Sequence, residues 1–199
     1  MDIRSMSLAD VDYVAAVHEY AFPDFFLTLL GQDFLKRYYL TVLEYEHSIS
    51  LVHLNSQGSI DGFAVGFGEP GAFYSFLKKK SLSFIWPLLK GLFRRPRLLK
   101  KILMNVLRVN ASDSKEVYEL SCELSSIGVK TQGRGIGKRL LSEFVEVACS
   151  KGLRHVLLTT DVVGNRSVID FYLTYGFIET HIETRGDRKM SHLSLIIHN

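Results

Sequence analysis

The sequence predicts an α/β layered domain with a mixed sheet, and three observations carry that prediction. Short runs rich in β-branched and aromatic residues alternate with longer segments of helical periodicity. A glycine-spaced turn, Gln132-Gly133-Arg134-Gly135-Ile136-Gly137-Lys138, joins a strand pattern directly to a helix pattern. From there the order is helix, strand, helix, strand, which suits helices layered on a sheet.

Each element follows from its local pattern. Residues 3–6 read as a short strand. Ser7-Leu8-Ala9-Asp10 suits a helix start, and Val11, Val14, Ala15 and His18 share one helical face as far as Tyr20, with Pro23 as the breaker. A second helix starts near Asp33, with Phe34, Leu35, Tyr38, Tyr39 and Val42 as its apolar stripe. Residues 49–54 and 60–67 read as strands of a hairpin turned by Asn55-Ser56-Gln57-Gly58. Residues 71–108 are helical in pattern, interrupted by Pro87, Gly91 and Pro96, and 117–129 read as a long strand. Ile136, Leu140, Phe144, Val147 and Ala148 mark the helix after the glycine loop, which Lys151-Gly152 ends. Residues 156–160 form a short buried strand, and 165–175 a helix capped by Asn165 and closed by Gly176. Strands at 177–183 and 190–197 finish the chain around Arg185-Gly186-Asp187.

At 199 residues the chain predicts one domain, residues 1–199. Cys122 and Cys149 lie in apolar-periodic segments without metal-ligand spacing, which predicts reduced thiols and no metal. The start, Met1-Asp2-Ile3-Arg4, lacks signal-peptide layout, and no apolar run reaches membrane-span length, so the expected location is cytoplasmic. Net charge is +3, yet residues 70–112 hold ten Lys or Arg and no Asp or Glu. A basic helical insertion therefore rides on an otherwise acidic domain.

The glycine loop exposes successive backbone N–H groups, and the helix behind it adds the positive end of its dipole, a suitable cradle for phosphate. It is not a P-loop, because Gln132 stands where the first Gly belongs and Arg139 where Ser or Thr belongs. Nor is it a dinucleotide fingerprint, because Gly135 and Gly137 are two apart rather than three.

Read together with Asn165-Arg166-Ser167-Val168-Ile169-Asp170-Phe171-Tyr172-Leu173-Thr174-Tyr175-Gly176-Phe177, the loop resembles the GNAT superfamily of acyl-CoA N-acyltransferases. That family's Q/R-x-x-G-x-G/A signature is matched by Gln132, Gly135 and Gly137. Its N-x-x-(A/V)-x-x-F-Y-x-x-x-G-F signature is matched by Asn165, Val168, Phe171, Tyr172, Gly176 and Phe177. The Lys130-Thr131 link before the loop is shorter than is common in the family.

The resemblance implies a three-layer α-β-α sandwich around a mixed, mostly antiparallel, splayed sheet. It implies acetyl-CoA, or another acyl-CoA, as acyl donor. The amides of Gly133, Arg134, Gly135, Ile136, Gly137 and Lys138 would hold its pyrophosphate, with Lys138 and Arg139 adding charge. The backbone of Ile127, Gly128 and Val129 would pair with the pantetheine arm, and Asn165 would approach it. Tyr172 would be the acid that meets the departing thiolate, and Glu123 the leading base, with Glu119 or a water chain as rivals. A backbone N–H near Val129 would take the oxyanion. Alternation puts Glu119, Ser121, Glu123 and Ser125 on one strand face, which a solvated surface would also explain. The acceptor pocket of the family falls on residues 18–26, making His18, Phe22 and Phe25 candidate substrate contacts.

The expected reaction is transfer of an acetyl group to a primary amine of a small molecule, with an amino sugar or nucleotide-linked amino sugar as the first acceptor class. The alternatives are a longer-chain acyltransferase with a membrane-associated acceptor and a non-catalytic acyl-CoA or membrane module. Residues 76–109 mix cations with Leu, Ile, Phe and Trp86, a composition suited to packed helices, to a peripheral anionic membrane surface or to a phosphorylated acceptor. It is too apolar for a nucleic-acid strip. Oligomeric state is left open.

Overall fold

The computed structural model describes residues 2–94, 120–186 and 188–197. Its strands are β1 (Ile3–Ser5), β2 (Ser48–Leu54), β3 (Ile60–Gly68), β4 (Ser121–Val129), β5 (His155–Asp161), β6 (Ile178–Arg185) and β7 (Arg188–Ile196). Its helices are α1 (Val11–Ala21), α2 (Phe26–Leu29), α3 (Gln32–Leu43), α4 (Pro70–Lys79), α5 (Ile85–Arg94), α6 (Ile136–Ser150) and α7 (Arg166–Tyr175). The strands form one sheet in the order β1-β2-β3-β4-β5-β7-β6. Among the described residues β4 and β5 alone run parallel, and the other pairings are antiparallel.

Local chemistry explains the boundaries. Asn55 turns the β2–β3 hairpin by accepting the Gln57 and Ser59 N–H groups at 3.0 Å each. Before α1, the Asp10 carboxylate accepts the Ser7 N–H and hydroxyl at 2.7 and 2.8 Å. Arg4 grips the same carboxylate in two bonds, and this pairing holds the Asp10 carboxyl far below the ordinary range. The sequence places that helix start correctly, although its first turn, Leu8–Asp10, is a 3-10 turn.

Helices cover both faces of the sheet. On one, α1, α3 and α4 bury Val14, Leu35, Tyr39 and Phe73 against Phe63, Val65 and Phe67. On the other, α6 and α7 bury Leu140, Phe144 and Tyr172 against Leu124, Leu158 and Leu193. The start of the basic segment is core rather than appendage, because Phe73 of α4 stacks on Phe67 with centroids 3.6 Å apart. Residues 95–112 of that segment, and 117–119 of the expected strand, lie outside the described residues.

The β3–β4 ladder holds one irregularity. Its register passes from Val65↔Ser126 to Gly66↔Leu124, which leaves Ser125 as the extra residue of a β-bulge. Gly66 makes the bulge feasible: a Cβ there would stand 2.2 Å from the Glu123 carbonyl oxygen and 2.6 Å from the Phe144 ring. Gly66→Ala is expected to cost about 2–3 kcal/mol of stability through overpacking against backbone. Urea unfolding checks this, and an unchanged midpoint would contradict it.

Candidate active site

The sheet opens beside β4. Parallel pairing with β5 covers Ser121–Glu123 and His155–Leu157, and stops there. Beyond Glu123, β4 continues along β3 to Val129, while β5 continues along β7 to Asp161. A slot lies between the two diverging strands. Lys130 donates its N–H to the Asp61 carbonyl at 2.8 Å, so Val129↔Gly62 is a pair without mutual hydrogen bonds. The N–H and C=O of Val129 therefore turn away from β3 and into the slot, and alternation gives Ile127 the same direction.

At the end of β4 the chain enters the glycine loop. Gly133 and Gly135 sit at φ +77° and +71°, where L side chains are strained. Arg139 donates to the Gly135 carbonyl at 3.0 Å as the first intrahelical bond of α6. The N–H groups of Ile136, Gly137 and Lys138 thus point out of the helix end, and among the described residues no side chain caps it. Gln132, Gly133, Arg134 and Lys138 are exposed around this mouth, and Ile136 is buried beneath it. Gly137 needs no special backbone angle, and the nearest atom to a Cβ there would be Phe171 Cζ at 4.0 Å. Nothing in the fold requires a glycine at 137, whereas close approach of a ligand does. Unpaired amides, clear space and the dipole end suit a diphosphate. Arg139 differs from expectation: its guanidinium is held away from the loop by Asp2 at 3.2 Å and His53 Nε2 at 3.0 Å.

The α1/α3/α4 side of the slot is polar and enclosed. The solvated-surface alternative fits poorly, since Ser121 is buried, Glu123, Ser125 and Ser126 are partly buried, and the bulge directs Ser125 and Ser126 to the same side as Glu123. Glu123 accepts the Tyr74 hydroxyl at 2.7 Å, and the Tyr38 and Ser125 hydroxyls meet at 2.7 Å. Tyr39 meets Ser126 and lies 2.6 Å from His18 Nδ1. Burial first, with the Glu123 charge adding, raises the Tyr38 phenol well above its ordinary pKa. His18 is 3% exposed, packs against Phe22 at 4.9 Å, and is pushed down to about 4 by burial. Its Nε2 has no hydrogen-bond partner among the described residues. A Cβ on Gly128 would meet Phe22 at 3.1 Å, so the end of α1 rests directly on β4. Phe25 packs on Phe22 at 5.1 Å and is 42% exposed.

Across the sheet, Tyr172 of α7 is buried between Phe171 and Phe177, with ring centroids at 5.1 and 5.4 Å. It shares one apolar cluster with Ile136, Ile127 and Val129, and burial raises its phenol above the usual range. Asn165 occupies the helix-capping position, yet its side chain makes no cap. Its amide donates instead to Thr160 Oγ1 at 2.7 Å, at the far end of β5. Glu123 and Tyr172 thus approach the slot from opposite faces.

Tyr38, Tyr39 and Tyr74 were not among the site residues the sequence suggested. The two on α3 read there as members of an apolar stripe, and Tyr74 fell in the basic segment. For Tyr38 and Tyr39 the signal was the adjacent Ser125-Ser126 pair their hydroxyls meet, and it needs the bulge to be seen; Tyr74 is found only through its bond to Glu123. Glu119, the rival base, lies outside the described residues.

Residues 115–177 match the sequence profile of the acetyltransferase (GNAT) family, a stretch that spans β4, the glycine loop and α7. Solved structures share the fold. The ribosomal-protein-S18-alanine N-acetyltransferase from Escherichia coli superposes with a TM-score of 0.62 at 15% identity, over 99% of this chain and 94% of its own. The ribosomal-protein-alanine N-acetyltransferase from Brucella melitensis gives 0.63 at 17% identity, over 99% and 100%. An N-acetyltransferase from Staphylococcus aureus Mu50 gives 0.61 at 16% identity, over 98% and 96%. A search of curated proteins by sequence finds no match.

Burial of His18 has a pH signature. A histidine held neutral in the fold and free to protonate when unfolded withdraws stability as pH falls from about 6.5 to about 4. The unfolded chain binds the extra proton across that window, so stability rises with pH by on the order of 3 kcal/mol. His18→Phe should flatten this slope in urea unfolding between pH 4 and 6.5. An equal slope in both proteins would show that His18 titrates normally.

Proposed function

We propose that this chain, whose residues 115–177 match the acetyltransferase (GNAT) family, is one N-acetyltransferase domain of that superfamily that moves the acetyl group of acetyl-CoA to a primary amine. The observation that carries this reading is the slot between β4 and β5, which ends at the unpaired amides of the glycine loop. Acetyl-CoA supplies an acyl group activated as a thioester. The Ile127 backbone groups and the Val129 carbonyl are suited to an extended amide arm, and the amides of 134–138 to its diphosphate.

The chain's own residues then have three tasks. An alkylamine of pKa near 10.4 is neutral in only about one molecule in a few thousand at pH 7, so a proton must be taken from it. Glu123, steadied by the Tyr74 hydroxyl, is the acceptor for that proton. The Val129 N–H, turned into the slot, is the donor for the carbonyl oxygen as it gains charge. Tyr172 holds a proton beside the departing sulfur from the opposite face. Its raised phenol stays protonated throughout the working pH range.

We assign Phe22 and Phe25 to the acceptor wall, with the buried His18 packed against Phe22 at 4.9 Å. A neutral His18 and aromatic rings suit an uncharged amine body, and an amino sugar is the acceptor class we assign first. The E. coli and B. melitensis neighbours are named for a protein alanine acceptor, and an N-terminal peptide is the competing class. A cytoplasmic site of action fits an acetyl-CoA donor. Acetyl-CoA titrated calorimetrically should saturate the folded protein, and an acceptor screen read by mass shift separates sugar from peptide.

Tyr172→Phe and Glu123→Gln should each lower kcat by about 10²-fold or more, with acetyl-CoA affinity unchanged. Unchanged turnover in both would remove these roles. In Gly137→Ala the added Cβ meets the Phe171 ring only at 4.0 Å, so thermal stability should hold while acetyl-CoA Kd rises at least about tenfold. Equal affinity in that variant would place the diphosphate elsewhere.

A further inference from the structure

Acetyl transfer makes no use of the outer face of α5. The opposite side of that helix is fixed to the body. A Cβ on Gly91 would stand 2.3 Å from the Leu30 carbonyl oxygen, Phe84 packs on Phe34 at 5.2 Å, and Lys90 Nζ meets Asp33 at 3.0 Å. Facing outward are Leu82, Trp86 and Phe93, 79%, 70% and 92% exposed, with Ile85 and Leu89 about half exposed between them. Positions 82, 85, 86, 89 and 93 recur at helical spacing and form one stripe. Trp86, Leu89, Lys90 and Phe93 line an open groove along it. Single exposed apolar side chains are ordinary, but a contiguous row tipped with aromatics marks a contact surface.

Charge selects the occupant. Residues 70–112 offer ten Lys or Arg and no carboxylate. A second copy would bring the same positive charge to the contact. Residues 95–109 of this chain would do so too, since they hold five of those ten cations. The complementary surface is apolar inside and negative outside, which describes an anionic lipid bilayer. We propose that α5 docks this protein peripherally on anionic membranes, with Trp86, Leu89 and Phe93 at the boundary between headgroups and acyl chains. Ten helical residues span only about 15 Å, so the helix lies in the membrane plane. This inference is independent of the acetyl-transfer reading.

Trp86 is the chain's only tryptophan, so its emission reports on α5 alone. The full chain is titrated with phosphatidylglycerol–phosphatidylcholine vesicles and with phosphatidylcholine alone. Anionic vesicles should shift the emission to the blue, brominated acyl chains should quench it, and high salt should weaken both effects. Neutral vesicles should do neither. The double variant Leu89→Glu, Phe93→Glu changes exposed positions only, and vesicle partitioning should drop by about thirtyfold. Its circular dichroism and acetyl-CoA titration should match those of the parent chain. Emission that anionic vesicles leave unmoved overturns the proposal. Emission already blue in the free chain would then assign the face to residues 95–109, and a concentration-dependent mass in light scattering would assign it to a second copy. Full partitioning by the double variant also overturns it, placing the contact outside α5.

Discussion

After Glu123, β4 can keep its register with β3 or with β5, but not with both. The bulge at Ser125 adds a residue to β4 and strengthens its local twist, while β5 is drawn along β7 through seven paired positions. The parallel ladder therefore ends after three residues. Gly66 admits the bulge by leaving room for the Glu123 carbonyl, and Phe144 of α6 closes over the same spot. A single crowded point between β3 and α6 thus sets where the sheet parts.

Parting creates a backbone problem and places its solution. The slot-facing N–H and C=O groups of β4 lack the neighbouring strand that a continuous sheet would supply, and buried backbone groups without partners are costly. A few residues on, the amides at the start of α6 are uncapped as well. Two sets of unsatisfied groups follow one another along the chain, one suited to an extended amide and the other to an anion. A molecule that carries an amide-containing arm on a diphosphate would satisfy both at once. The glycines divide the remaining labour: Gly133 and Gly135 hold the left-handed backbone, and Gly137 keeps the approach clear.

Much of this was legible in the sequence because it rests on local patterns. The strand and helix order, the hairpin at Asn55, the glycine loop and the Asn165–Phe177 segment are all short-range signals. What escaped was set by long-range contact. Strict alternation assigns Ser125 and Ser126 to opposite faces, and only the β3–β4 register shows both on one face. Tyr38 and Tyr39 read as members of an apolar stripe because periodicity is blind to where a hydroxyl ends, and Tyr74 was passed over within the basic segment. Arg139 looked like part of the phosphate cradle, yet Asp2 and His53, remote in sequence, hold it elsewhere. Asn165 fits a cap by position and spends its amide on Thr160.

The basic segment joins the two halves of the molecule's chemistry. Through Phe73 and Tyr74, α4 is both part of the core and the hydrogen-bond donor to Glu123. One 3-10 turn later the same stretch presents the apolar stripe of α5. Lys80, at the junction, is tied to Glu44 at 2.9 Å, and Arg37 holds Ser83 at 2.9 Å, so the turn between them is braced on α3. A bilayer against α5 would therefore lie at a fixed orientation to the acceptor side of the slot, because few freely rotating bonds separate the two surfaces. If α5 docks on a bilayer, that geometry would present the slot to acceptors held at the membrane, and the helix would have a place in the protein without a part in the reaction.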